Sequence, residues 1–143
     1  MRAQLFESVY EVTGKDFANA GRASTSIKDT LKRLGVPPAV VRRVAIASYE
    51  AEMNLVMYAA RGRILLTVSP IDVTLEVADK GPGIENIDLA MQEGYSTATQ
   101  EMREMGFGAG MGLPNIRKNA DEFDITSVVG EGTRLFIRVK QDA

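Results

Sequence analysis

The sequence contains no cysteine and no histidine. Without cysteine there are no disulfides and no thiolate metal site. Without histidine, Ser-His-Asp and Cys-His catalysis and the usual zinc constellations are excluded, and the chain cannot carry a phosphohistidine. Acid–base chemistry must come from Asp, Glu, Lys or Tyr, and a metal would be a hard cation such as Mg²⁺ held by oxygen ligands. Long hydrophobic runs are missing as well. None approaches the ~20 residues needed to span a bilayer, and Met1-Arg2-Ala3-Gln4-Leu5 opens no signal-peptide core. The net charge is −2, so no basic excess points to nucleic acid. These absences lead us to expect a cytoplasmic protein with no membrane and no direct nucleic-acid partner.

What is present suits one domain over residues 1–143. The length allows a real core, and 45% hydrophobic with 25% charged residues is ordinary for a globular chain. Glycine is unevenly placed. Seven of the 13 glycines fall between Asp79 and Leu113, so this window is where the backbone is asked to do something unusual. It opens with Asp79-Lys80-Gly81-Pro82-Gly83. It then passes a polar tract, Gly94-Tyr95-Ser96-Thr97-Ala98-Thr99, and closes with Gly106-Phe107-Gly108-Ala109-Gly110-Met111-Gly112-Leu113. Alternate glycines leading into a helix start suit a loop whose free N–H groups cradle phosphate. The same composition would also suit a plain surface loop. A Walker loop is absent, since no Gly-Lys-Ser/Thr occurs. The Rossmann fingerprint fails too, because the loop reads G-x-G-x-G-x-G and follows a polar tract.

Taken in order, Leu5–Val12 reads as an edge strand. Lys15–Leu34 reads as a helix with Phe17, Ala20, Ser24, Ile27, Leu31 and Leu34 on one buried stripe, stopped by Gly35. A second helix runs from about Pro38 to Ala60, with Val41, Val44, Ala45, Ser48, Ala51, Leu55 and Tyr58 inward. Glu50 and Asn54 are four apart and share another face of it, either as functional groups or as a solvated face. Arg63–Ser69 and Val73–Ala78 form a hairpin of interior strands, the second delivering Asp79 to its end. Ile87–Glu93 is a short helix capped by Asn86, Leu113–Ala120 a helix, and Phe123–Val129 and Thr133–Lys140 paired strands. Helices cluster early and strands pair by hairpins. The expected fold is an α+β two-layer sandwich: a mixed, largely antiparallel sheet with helices on one face.

Three segments carry a family resemblance: Glu50-Ala51-Glu52-Met53-Asn54, Asp79-Lys80-Gly81-Pro82-Gly83, and Gly106 to Leu113. In this order they resemble the N, G1 and G2 boxes of the GHKL ATPase superfamily, with its Bergerat ATP-binding fold. Within it the chain most resembles the small anti-sigma-factor serine/threonine kinases, closest to the stressosome-type switch kinases. Tyr58, Glu93-Gly94-Tyr95-Ser96-Thr97, Gly110-Met111-Gly112-Leu113-Pro114, Asp121-Glu122-Phe123 and Gly130-Glu131-Gly132-Thr133 support it. The resemblance covers residues 5 to 140 and implies ATP and Mg²⁺ as cofactors. By it, Asp79 would accept from the adenine 6-amino group, with Gly81 and Gly83 turning under the base. Asn54 would be the Mg²⁺ ligand, and Glu50 the base for an incoming serine or threonine hydroxyl. Gly106, Gly108, Gly110, Met111, Gly112 and Leu113 would form the phosphate-binding lid, and Thr133 would close the adenine side through its hydroxyl. Ser96 and Thr97 would contact nucleotide or cap the lid.

The resemblance implies an ATP-dependent protein serine/threonine kinase of a bacterial partner-switching system. Its substrate would be a small STAS-domain protein, similar to an anti-anti-sigma factor. The alternative is an ATP-gated binding module that sequesters a sigma factor or activates a PP2C-type phosphatase, with little phosphoryl transfer. A homodimer is compatible with either. Two features depart from the pattern or give no chemistry: the acidic, Met-bearing insert Gln100–Met105, and the residues Met53 and Asp121-Glu122.

Overall fold

Strand formation follows the alternation of apolar and polar residues. The computed structural model describes residues 5–92 and 112–141. Its strands are β1 (Phe6–Thr13), β2 (Arg61–Val68), β3 (Asp72–Lys80), β4 (Glu122–Val128) and β5 (Gly132–Lys140). Its helices are α1 (Arg22–Arg33), α2 (Pro38–Tyr58), the single turn α3 (Ile87–Ala90) and α4 (Gly112–Asn119). On β2, Ile64, Leu66 and Val68 point inward; on β3, Val73, Leu75 and Val77; on β5, Leu135, Ile137 and Val139. With a side-chain period of two, each strand thus contributes one apolar face. The strand order is β1-β2-β3-β5-β4.

All four pairings are antiparallel. The two-layer expectation holds, and the parallel component implied by a mixed sheet is absent among the described strands. Tight turns join β2 to β3 and β4 to β5, and α1 and α2 carry the chain from β1 back to β2 in the opposite sense.

Helix α2 is the spine of the helical layer. It buries Val44, Ala47, Ser48, Ala51 and Leu55, and α1 and α4 pack on either side of it. The small residues Ala47, Ser48 and Ala51 keep the helix close to its neighbours. The Ser48 hydroxyl, fully buried, donates to the Ala45 carbonyl within the helix at 3.1 Å. Ile27 and Leu31 of α1 and Ile116 of α4 complete the core. Full burial of each such side chain contributes about 1.5–3 kcal/mol.

The first helix is shorter than its periodicity suggests. Phe17–Asn19 form a 3-10 turn, Gly21 adopts φ +98°, and α1 begins at Arg22. The start is fixed from outside the segment. The Glu52 carboxylate on α2 accepts from the N–H groups of Gly21, Ala23 and Ser24 at 3.0, 3.2 and 2.8 Å. These are orphan donors of a helix end, and a tertiary acceptor decides where that end lies. The other end follows local rules. Gly35 (φ +75°) donates to Lys32 and Val36 to Leu31, a Schellman closure with Val36 and Leu31 both buried. Leu34 consequently falls outside the stripe and is 46% exposed.

Candidate nucleotide site

The site is assembled where four chain segments meet beyond the end of β3. Asp79 is the penultimate residue of that strand. Its Oδ1 accepts from the Thr133 backbone N–H at 3.1 Å, and its Oδ2 has no hydrogen-bond partner among the described residues. Burial raises the Asp79 carboxyl above the usual aspartate value, and the Thr133 N–H opposes that shift without cancelling it. A half-buried carboxylate with one free oxygen is an acceptor for an external donor such as an exocyclic amine.

Glycine makes this convergence possible by letting backbone lie on backbone. A Cβ on Gly132 would lie 2.1 Å from the Asp79 carbonyl oxygen, and one on Gly83 (φ +74°) 2.5 Å from that of Val128. Around them, Gly81 N–H donates to the Glu131 carbonyl at 3.3 Å and Gly130 N–H to that of Pro82 at 2.9 Å. A Cβ on Gly81 would come within 3.1 Å of the Ala59 Cα. Gly81 and Gly83 therefore pack the Asp79 loop against the end of α2 and the β4–β5 turn.

The Thr133 hydroxyl, expected to close the adenine side, has a partner within the protein. It lies 2.9 Å from Ser127 Oγ, while the residue's backbone N–H is what reaches Asp79. Ser127 in turn accepts from Ile84 N–H at 2.7 Å and lies 3.2 Å from the Gly132 carbonyl as donor. Ser127 thus ties β4 to the loop after Asp79. It was invisible in the sequence because it sits unremarkably in a strand.

The second cluster lies on α2. Glu50 and Asn54 are both half-buried on one face. Glu50 Oε2 accepts from Asn115 Nδ2 at 2.8 Å, leaving Oε1 without a partner among the described residues. Asn54 faces the start of α4: a Cβ on Gly112 would lie 3.3 Å from its Oδ1. Glycine at 112 therefore leaves space over the amide oxygen that any larger residue would narrow. Asn115 is a residue that motif reading missed; its signal is only that it follows Gly112 by three and shares its helix face.

Leu113 was expected to touch the nucleotide, but its side chain is 8% exposed and belongs to the core. Only its backbone N–H, in the first turn of α4, remains available to an anion. Ser96, Thr97, Gly106, Gly108, Gly110 and Met111 lie outside the described residues. Among the described residues no group of three or more Asp or Glu side chains is placed to hold a metal. The donor set fits Mg²⁺ only as it commonly binds, through one or two protein oxygens together with substrate phosphates and water. The Asn54 amide over the Gly112 gap is such a position.

The residues that sequence reading left without chemistry have structural work. Asp121 accepts from Lys140 N–H at 2.7 Å and lies 3.3 Å from Arg43 of α2. The Lys140 hydrogen bond is the main reason its carboxyl is held below the usual range. Glu122 pairs with Arg138, which also meets Asp72. These contacts fasten α2, β3, β4 and β5 together at the end remote from Asp79.

Comparison with known proteins identifies the family. The family described as histidine kinase-, DNA gyrase B-, and HSP90-like ATPases matches residues 39–143. The chain belongs to that family, and the expected GHKL fold is borne out. It is 31% identical over 112 residues to the serine/threonine-protein kinase RsbT of Bacillus subtilis, covering 76% of this chain and 78% of the relative. It is 33% identical over 95 residues to the anti-sigma F factor of Caldanaerobacter subterraneus, covering 63% of each. A third relative, the anti-sigma F factor of Clostridium acetobutylicum, is 29% identical over 134 residues, covering 94% of this chain and 85% of the relative. Similarity to a named serine/threonine kinase and to anti-sigma factors supports the kinase reading. No helix among the described residues is long and apolar enough to cross a membrane.

Proposed function

We propose that the protein is an ATP-dependent serine/threonine protein kinase of a partner-switching system, acting on a small STAS-domain protein. The observation that carries this reading is the Glu50 carboxylate, one helical turn before Asn54 and oriented by Asn115, its other oxygen without a partner among the described residues. A module that only binds nucleotide has no need of an oriented base beside its metal ligand. Asp79 Oδ2 selects adenine, with Gly81 and Gly83 beneath the base. Asn54 would hold Mg²⁺, which when bound would neutralise phosphate charge. The first-turn N–H groups of Gly112 and Leu113 and the glycines Gly106, Gly108 and Gly110 hold the phosphates. Ser96 and Thr97 contact the nucleotide or cap the lid, and Met111 belongs to the same phosphate-binding stretch.

In the transfer step Glu50 takes the proton of the serine or threonine hydroxyl. The hydroxyl oxygen bonds to the γ-phosphorus, the β–γ bridging bond breaks, and ADP leaves. The test is single-turnover transfer to a STAS-domain protein encoded beside this one, with nucleotide affinity measured in parallel. Glu50→Gln should keep ATP and partner binding. It should lose the acid–base contribution of ~10²–10⁴-fold in rate, towards the lower end, because a loose transition state leans more on positioning than on a base. Transfer by Glu50→Gln at the wild-type rate would remove the base assignment.

The anti-sigma F relatives favour one further reading: an ATP-gated module that sequesters a sigma factor or activates a PP2C-type phosphatase, alone or as a homodimer. Wild-type protein that binds ATP and partner but phosphorylates nothing would establish that reading instead.

A further inference from the structure

Charge is segregated in this molecule. Residues 22–43 carry six cations and one carboxylate, Asp29, leaving eleven cations against eighteen carboxylates elsewhere. An acidic protein thus bears one strongly basic segment, made of α1, the Gly35 turn and the start of α2. One of these cations, Arg43, is engaged with Asp121 and with the Asn119 carbonyl. Lys28, Lys32 and Arg42 have no ionic partner among the described residues, and all three are exposed. Unpaired like charges held together repel, so their clustering costs stability unless an anionic partner relieves it.

The three cations surround an open cleft between α1 and α2. Lys28 and Lys32 stand one turn apart on α1, Arg42 is on α2, and the floor includes Val36, Val41 and Ile46. Ile46 is 37% exposed, although it sits in the most apolar helix of the chain. The cleft lies on the first two turns of α2, before Glu50, and none of its residues belongs to the nucleotide site.

We infer that this cleft is a docking groove for an acidic amphipathic helix of a partner protein. Its apolar stripe would lie over Pro38, Ala45 and Ile46, the accessible apolar residues above the buried Val36 and Val41, with flanking carboxylates meeting Lys28, Lys32 and Arg42. An aliphatic floor with a cationic rim is complementary to such a helix. A nucleic acid would need phosphate contacts without an aliphatic floor and would gain from aromatic platforms, which this cleft lacks. Arg42 and the two lysines set partner selectivity and encounter rate, and Ile46, the exposed part of the floor, supplies the main apolar contact. The inference does not depend on the kinase reading.

The test uses the full chain and a fluorescein-labelled synthetic peptide of ~14 residues, about four helical turns. The peptide carries leucines on one stripe and glutamates beside it. Fluorescence anisotropy should show saturable binding that weakens as sodium chloride is raised. Lys32→Glu/Arg42→Glu should weaken it about tenfold, since two rim attractions become repulsions. Ile46→Asp should weaken it with all three cations intact. ADP binding should be unchanged in both variants, which also reports that they are folded; Lys28→Glu provides an independent charge reversal. Three results would overturn the proposal. They are no saturable binding of the peptide, equal binding by the charge-reversed variants, and equal binding of a peptide with the same charge but its leucines replaced by serines. Binding of a single-stranded oligonucleotide or of phosphatidylserine vesicles, lost in the same variants while the helical peptide is ignored, would assign the surface to that other partner instead.

Discussion

Glu52 should be a principal determinant of stability, although it stands between two residues of the candidate site. It is 2% exposed and accepts three backbone N–H groups at the start of α1. No cation among the described residues pairs with it; the compensation comes from those donors and from the positive end of the helix they belong to. A hydrogen bond to a charged group contributes about 1.5–3 kcal/mol, and a buried donor left unmet costs about 1–3 kcal/mol. Glu52→Ala strands the Ala23 and Ser24 donors in the interior and the Gly21 donor at its edge. Water entering the vacated space recovers part of the loss, so the net cost should be about 3–5 kcal/mol. Glu52→Gln keeps the volume and one acceptor but turns an NH₂ group towards donors, and should cost about 2–3 kcal/mol. For a chain of this length the unfolding entropy makes 3 kcal/mol a fall of roughly 10 °C in Tm. Urea denaturation and calorimetry read both quantities. Because Glu52 points away from Asn54, the folded fraction of Glu52→Gln should bind ADP as wild type does. A Glu52→Gln protein within about 0.5 kcal/mol of wild type would refute the argument, and so would a variant of normal stability that has lost nucleotide binding.

The Asp79 carboxyl titrates above its unfolded value, so its ionised form is disfavoured by folding. The resulting destabilisation is absent below the ordinary aspartate pKa and is fully present once pH exceeds the raised folded value. Asp79→Asn should therefore leave the unliganded protein as stable or more stable at pH 7, with the difference shrinking as pH falls through that range. The same change should weaken ATP binding by about 1.5–3 kcal/mol, measured by calorimetry. Gly132→Ala places a methyl 2.1 Å from the Asp79 carbonyl oxygen, so it should lower both stability and nucleotide affinity. Gly130→Ala meets nothing within 4 Å at φ +84° and should lose only about 1–2 kcal/mol of backbone strain, with ATP affinity retained; chemical denaturation and nucleotide titration separate the two. Asn115→Ala frees the Glu50 carboxylate and should slow phosphoryl transfer about tenfold, ~1.4 kcal/mol, with ATP affinity little changed.

Local physics made much of this molecule readable. Period-two alternation located β2, β3 and β5 within a residue or two, because their inward positions are covered on one face only. The spacing of small and apolar residues fixed α2, and Asn86 and Gly35 marked helix ends through capping that acts within a few residues. Glu50 and Asn54 could be placed together because a helix brings i and i+4 onto one face whatever surrounds it. Asp79, Gly81 and Gly83 could be placed at a strand end for a similar reason.

What required tertiary structure were the relations between segments. The start of α1 at Arg22, rather than near Lys15, is set by a carboxylate about thirty residues away. Periodicity cannot register an acceptor that arrives from another helix. Leu113 places its side chain in the core because α4 turns it inward, so only its backbone faces the site. Thr133 meets Asp79 through its backbone, and its hydroxyl turns to Ser127, because the β4–β5 pairing brings those two residues opposite each other. Asn115 and Ser127 carry no motif. They matter only because separate elements bring Glu50 and the Asp79 loop within hydrogen-bond reach of them. Sequence specifies periodicity, caps and boxes through neighbours in the chain; partners distant in the chain are chosen by packing, and packing exists only in three dimensions.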